Sequence, residues 1–78
     1  MNPNYFELTS LARSVAYFVY RKKETDYKAI EERFGKERAE IGTKELLTQK
    51  PPLLIKKGKN YNISSDLEAT INRLMNLV

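Results

Sequence analysis

The chain has 78 residues, which suffices for one small domain and is too short for two separate cores. It contains neither cysteine nor histidine, which excludes disulfides, thiolate or imidazole metal sites and imidazole catalysis. Hydrophobic residues make up 41% of the chain and charged residues 31%, a balance typical of a folded globular protein. We therefore expect a single domain over residues 1–78 that needs no cofactor and no metal.

The charge is concentrated in one segment. Lysine and arginine number 14 against 10 aspartate and glutamate, giving a net charge of +4. Residues 46–65 contain no acid and hold four lysines, so the remaining ten bases equal the ten acids of the rest of the chain. A localised excess of this kind indicates an anionic partner.

No segment has the features of a membrane span or a secretion signal. The longest apolar run, Val15 to Tyr20, is six residues, whereas a transmembrane helix needs about 20. The N-terminal residues MNPNYFEL lack the charged head and apolar stretch of a signal peptide. We expect a cytoplasmic protein with no membrane contact.

Three segments repeat apolar residues at steps of three and four, the spacing of one helical face. The first helix is predicted from about Tyr5 to Lys22 with Asn4 as its cap, the second is capped by Asp26, and the last begins after Ser64. Their core faces are Leu8, Leu11, Ala12, Val15, Phe18 and Val19 in the first; Tyr27, Ile30 and Phe34 in the second; and Leu67, Ile71, Leu74, Met75 and Val78 in the last.

The boundary between the second and third helices has two interpretations. Gly35 ends the second helix and a third helix follows over about residues 36–49, or the second helix continues to Gly42 and Thr43 caps a shorter third helix. In both cases the consecutive prolines at 51 and 52 end the third helix near Lys50, because proline cannot continue a helix.

Two extended segments on either side of Gly58-Lys59-Asn60 predict a β-hairpin. We expect a three-residue loop, in which Ile55 faces Ile63 and both share one side of the ribbon with Tyr61. A two-residue loop would place Lys56 on that side instead. The strands are predicted at residues 53–57 and 61–64.

The order of three helices, a hairpin and a closing helix resembles the winged-helix variant of the helix-turn-helix domain over nearly the whole chain. The resemblance rests on Ala29-Ile30 and Phe34-Gly35 around the turn, on Leu46-Leu47 in the third helix, and on LLIKKGKNYNIS, Leu53 to Ser64, as the wing. It implies a mainly α fold with a small β-hairpin. It also implies a third helix that enters the major groove of double-stranded DNA and a wing that lies over a neighbouring phosphate backbone or minor groove.

The resemblance gives the basic segment a candidate function as a DNA-binding surface of a small transcriptional regulator. Lysines on a projecting wing can approach phosphates without being buried, and donors on the third helix can read base edges. The predicted DNA-binding residues are Lys56, Lys57 and Lys59 on the wing, Arg38, Thr43, Lys44 and Gln49 on the third helix, and Lys50 after it.

The competing interpretation is a winged-helix module that binds another protein. Residues 36–50 hold four bases and three acids, a net charge of only +1, whereas a helix that faces phosphates is usually more basic. Tyr17 and Tyr20 lie off the apolar stripe of the first helix and predict a subunit or partner interface, and a homodimer would add phosphate contacts.

Catalysis is not predicted. The neighbouring carboxylates Glu31 with Glu32 and Glu37 with Glu40 are typical of charged helix surfaces, and nothing apolar near them in the sequence would raise a carboxyl pKa. The chain also lacks a glycine-rich phosphate loop and a nucleophile with an adjacent base. We therefore expect a protein that is not an enzyme.

Overall fold

A computed structural model describes residues 5–76, which form four α-helices and a three-stranded antiparallel sheet. A single 3-10 turn at Tyr5–Glu7 precedes them. The helices are α1 (Ser10–Lys22), α2 (Tyr27–Phe34), α3 (Lys36–Leu47) and α4 (Ser65–Asn76); the strands are β1 (Thr25–Asp26), β2 (Leu54–Lys57) and β3 (Asn60–Ile63). This order of helices, hairpin and closing helix is a winged-helix topology, and the predicted fold class is confirmed.

The first helix begins five residues later than predicted. Thr9 has an extended backbone, and its hydroxyl accepts a hydrogen bond from the Ala12 amide at 3.2 Å, so Thr9 is the N-cap and the helix starts at Ser10. The segment Tyr5–Glu7 is a separate 3-10 turn. Asn4, the predicted cap, lies outside the described residues.

Gly35 is the turn between the second and third helices. Its φ of +93° is a left-handed conformation that side chains rarely adopt, and it serves as C-cap of α2 and N-cap of α3 at once. The Gly35 amide donates to Glu31 and its carbonyl accepts from the Ala39 amide at 2.9 Å. The helix then runs unbroken through Gly42, so of the two open boundaries the one at Gly35 is correct, and Thr43 is not a cap.

Gly42 is required by the contact between α1 and α3. A Cβ atom at this position would lie 2.7 Å from Cγ2 of Val15 and 3.4 Å from Cγ of Leu11. Valine is restricted at χ1 within a helix, so the Val15 methyl cannot easily turn away. Gly42 has a lower helix propensity than alanine would have, but its missing side chain lets the backbones of α1 and α3 approach closely.

The hairpin differs from the prediction because its loop has two residues, Gly58 and Lys59. Leu54 pairs with Ile63 and Lys56 with Tyr61, one residue out of the expected register. A one-residue shift exchanges the two faces of a strand, so Leu54 is buried whereas Ile55 is 37% exposed. Positive φ occurs only at the first loop position, Gly58, as in a type II′ turn.

A third strand was not predicted from the sequence. β1 pairs antiparallel with β3, Thr25 opposite Tyr61 and Asp26 opposite Asn60, which makes β3 the central strand. Two residues are too few to show an alternating pattern. Asp26 also caps α2 as predicted, since its carboxylate accepts from the Ala29 amide at 2.9 Å.

One core joins all four helices and the sheet. Its fully buried larger side chains are Ile30, Leu46, Leu54, Leu67, Val15 and Val19. On the predicted face of α4, Leu67 and Ile71 are buried, Leu74 is half-buried and Met75 is exposed; Val78 lies outside the described residues. Among residues 5–76, no helix is both long enough and apolar enough to span a bilayer.

We expect Gly42→Ala to lower the free energy of unfolding by about 1 kcal/mol, measured by urea denaturation. Overpacking costs about 1–3 kcal/mol, which exceeds the gain of up to about 1 kcal/mol in helix propensity. The double variant with Gly42→Ala and Val15→Ala should lose less free energy of unfolding than the two single variants lose in sum. Val15→Ala removes the methyl group that the new Cβ atom meets. A Gly42→Ala protein more stable than the parent would contradict the close contact.

Candidate nucleic-acid interface

The outward face of α3 is only weakly suited to DNA. Ala39, Gly42, Thr43 and Leu46 are buried on the side that packs against the core. With 3.6 residues per turn, the opposite side presents Glu37, Ile41 and Lys44 to solvent, and Ile41 is 56% exposed. An exposed apolar side chain between an acid and a base does not provide the positive surface that phosphates attract.

Of the four residues predicted to read bases, two form hydrogen bonds within the chain and a third lines a groove beside α1. Thr43 is a correction to the prediction: it is only 4% exposed and its hydroxyl donates to the Ala39 carbonyl at 2.7 Å, so it cannot reach a base. The Gln49 side-chain amide donates to the Glu45 carbonyl at 3.2 Å and closes the end of the helix. Arg38 is exposed, but it lies on the flank of α3 that faces α1 and lines a groove there.

Lys44 and Lys50 remain available to a ligand. Lys44 is exposed on the outward face of α3, one turn beyond Ile41. Lys50 is exposed in the segment after α3, immediately before Pro51. Together they place positive charge near the C-terminal half of α3 and not at its first turn.

The wing carries its lysines on both faces and at its tip. Lys56 and Lys57 are consecutive on β2, so their side chains leave opposite faces of the ribbon, and Lys59 occupies the loop. All three are exposed. Lys56 Nζ lies 6.0 Å from the centroid of the Tyr61 ring. This is the face of the ribbon that also carries the buried Leu54 and Ile63. Within residues 5–76, no carboxylate forms an ion pair with Lys57 or Lys59.

A shallow groove of about 400 Å³ runs between the wing and the start of α2. We call it the wing groove; it is lined by Tyr27, Lys56, Gly58, Lys59 and Tyr61. The Tyr27 and Tyr61 rings lie 6.2 Å apart and form an aromatic wall beneath the two lysines. Both tyrosines also belong to the core region, since Tyr61 is 7% exposed and Tyr27 packs against the core cluster. Their place beside the groove depends on the β1–β3 pairing, which brings the start of α2 beside the wing and which the sequence did not predict.

Two acids lie close to the wing groove. Burial, followed by the negative charges of Glu31 and Glu40, raises the pKa of Tyr27 above its usual value of 10.0, while the Thr43 hydroxyl acts in the opposite sense. The same carboxylates reduce the positive potential on the α3 side of the groove. We therefore expect the positive potential to be strongest at the tip and outer face of the wing, where Lys57 and Lys59 are exposed.

The predicted interface tyrosines of α1 make internal contacts. Tyr17 and Tyr20 stack with ring centroids 5.9 Å apart, and the Tyr20 hydroxyl donates to Oδ1 of Asn72 on α4. Arg21 lies over the Tyr17 ring, with Cζ 6.0 Å from its centroid. Both rings stay half-buried, and their role between subunits remains a prediction.

The chemistry of the described residues does not suggest a metal centre. Across residues 5–76, no three side chains of the metal-binding types come together to hold an ion. Comparison of this chain with protein-family models, with curated proteins and with solved structures gave no significant match.

Tyr27 should make the protein sensitive to alkaline pH. Its pKa is raised in the folded state, so the unfolded chain releases this proton first, and stability present below about pH 10 is lost as the pH rises through the folded pKa. We expect Tyr27→Phe to lose less stability than the parent between neutral and alkaline pH, measured by thermal unfolding. An equal loss in both proteins would show that Tyr27 ionises normally.

Glu40→Gln should lower the pKa of Tyr27, because it removes a negative charge that raises this pKa. The tyrosinate absorbance of the folded protein should therefore appear at lower pH than in the parent.

Proposed function

We propose that this protein is a non-catalytic binder of double-stranded DNA that uses its wing to contact the phosphate backbone. The observation that carries the proposal is a set of three exposed lysines on one hairpin: two lie on its opposite faces and the third lies in its two-residue loop. No acid is present in residues 46–65, so the wing carries its charge without internal neutralisation. Such a function is compatible with the cytoplasmic location expected from the sequence.

Counterion release supplies the driving force. Each lysine that neutralises a phosphate releases condensed cations from the duplex, which makes binding favourable and salt-dependent. Because Lys56 and Lys57 leave opposite faces of the ribbon, the wing can contact phosphates on both sides when it lies edge-on in a groove. The Tyr27 and Tyr61 rings support Lys56 from below.

Base reading through α3 has little support, because only Lys44 of the predicted readers projects freely from its outward face. We therefore propose backbone-led binding with weak sequence preference, since phosphate contacts position a protein but do not specify a base sequence. A role in transcription would then require a second copy or a partner to supply specificity. A homodimer would double the number of wings on the duplex.

We expect the change of Lys56, Lys57 and Lys59 to glutamine to abolish binding to a labelled mixed-sequence duplex at low salt. The parent should bind with a log–log salt slope of about −2.7, the value for three phosphate contacts. Fluorescence anisotropy over a series of salt concentrations measures both quantities, and urea denaturation checks that the variant folds.

The matched control changes Lys22, Lys23 and Arg73 to glutamine. It removes three positive charges, as the wing variant does, but from the C-terminal end of α1 and from α4. If only net charge mattered, both variants would bind the duplex equally weakly. If both variants lose affinity equally, DNA contact is not located at the wing. If the parent itself fails to bind at low salt, the proposed function is wrong.

A protein-interaction module is the second candidate, and it is favoured by Ile41. An isoleucine exposed at 56% on the outward face of α3, with Glu37 and Glu40 beside it, resembles the centre of a protein contact more than a helix that enters a DNA groove. This candidate replaces the first if the duplex titration shows no binding.

A further inference from the structure

A second and larger groove lies at the other end of α2. Its volume is about 880 Å³, and it is formed where the C-terminal ends of α1 and α2 meet the first turn of α3. We call it the arginine groove; its basic and aromatic lining residues are Arg21, Arg33, Arg38, Tyr17, Phe18 and Phe34, and Ser14 completes the lining. α2 separates the two grooves, since Tyr27 at its start lines the wing groove and Phe34 at its end lines the arginine groove, about 10 Å along the helix axis.

The floor of the arginine groove is apolar and held in place by the core. Phe18 and Phe34 pack edge to face with centroids 5.7 Å apart, and both are half-buried against the hydrophobic core. A ligand's apolar side chain that packs on these two rings would be removed from water. The backbone of the protein would not need to rearrange, because the rings are already in place.

Two of the three guanidinium groups are oriented by aromatic rings. Arg33 Cζ lies 5.3 Å from the centroid of Phe34. Arg21 Cζ lies 6.0 Å from the centroid of Tyr17, and its Nη1 donates to the Tyr17 hydroxyl at 3.4 Å. Stacking on a ring leaves most guanidinium N–H donors free, and their planar arrangement matches a carboxylate.

The position of Arg38 is not explained by helix stability. Arg21 and Arg33 occupy the last turns of their helices, where positive charge is favourable, but Arg38 lies in the first turn of α3, where the helix dipole disfavours a cation. Among residues 5–76, no side chain that lines the arginine groove is acidic, and no carboxylate forms an ion pair with Arg38. Three arginines therefore line one groove without an acidic side chain beside them in the described part of the chain.

We propose that the arginine groove binds an acidic peptide segment of a partner protein, with carboxylates on the three arginines and an apolar side chain on Phe18 and Phe34. Arginine clusters recognise acidic motifs through paired hydrogen bonds, and a peptide can lower a side chain into a concave floor. A rigid duplex can place phosphates on the arginines, but it has no flexible apolar side chain to pack on Phe18 and Phe34. The site is independent of DNA contact by the wing.

The test uses a short labelled peptide of alternating glutamate and phenylalanine, titrated by fluorescence anisotropy into the full chain. A peptide with glutamine in place of glutamate is the matched ligand. We expect the acidic peptide to bind, the glutamine peptide to bind at least about tenfold more weakly, and Arg33→Gln with Arg38→Gln to weaken the acidic peptide by a similar factor.

Two control variants separate this site from the wing and from net charge. Arg73→Gln, on α4, should bind the acidic peptide as the parent does, and so should the variant with glutamine at 56, 57 and 59. Urea denaturation of the Arg33 and Arg38 variant shows whether it folds; if it does not, Arg38→Gln alone is the variant compared with Arg73→Gln.

Four results would overturn the proposal. The first is equal binding of the acidic and glutamine peptides, and the second is equal weakening by Arg73→Gln. The third is full competition by inorganic phosphate at the same charge concentration, which would indicate a site for any anion. The fourth is tighter binding of a single-stranded oligonucleotide with the same dependence on Arg33 and Arg38, which would make the groove a nucleic-acid site. None of these depends on whether the wing binds a duplex.

Discussion

The close contact between α1 and α3 at Gly42 and Val15 determines where the surface features of this protein lie. Because Gly42 has no side chain, α3 lies directly against α1, and Glu45 reaches the start of α1, where its carboxylate accepts from the Thr9 amide at 3.0 Å and from the Thr9 hydroxyl at 2.7 Å. The end of α3 then positions the sheet, since the Leu53 amide donates to the Leu46 carbonyl at 3.0 Å. The wing is thus attached to the helical core through α3.

The sheet joins the wing to the start of α2. β3 is paired on both sides, and its buried residues Tyr61 and Ile63 contribute to the core while Asn60 turns the other way. The two-residue loop projects beyond this sheet and leaves Lys59 exposed, next to the exposed Lys56 and Lys57 at the end of β2. A small sheet therefore serves two purposes, because it completes the core and displays positive charge.

The two grooves have similar chemistry and different geometry. Each combines basic side chains with aromatic rings, but the wing groove is shallow and bounded by exposed lysine side chains, whereas the arginine groove is larger and two of its three guanidinium groups lie over rings. Lysine on an exposed hairpin suits long-range attraction to phosphates, and arginine beside an apolar floor suits a defined carboxylate geometry. The two proposals therefore assign the wing to phosphates and the arginine groove to carboxylates, and neither groove is lined by the exposed Ile41 of α3.

The sequence by itself determined the helix faces, the Asp26 cap, the order of the four helices and the hairpin, and the basic wing, because these follow from local periodicity, capping chemistry and composition. Only the tertiary structure decided the rest. The hairpin register depends on whether Leu54 or Ile55 meets the core, and both have similar apolar side chains in the sequence. Gly42 reads as a helix break until Val15 is placed against it. Thr43 and Arg38 differ in burial and direction because α1 packs on one side of α3, and no local pattern records which side that is.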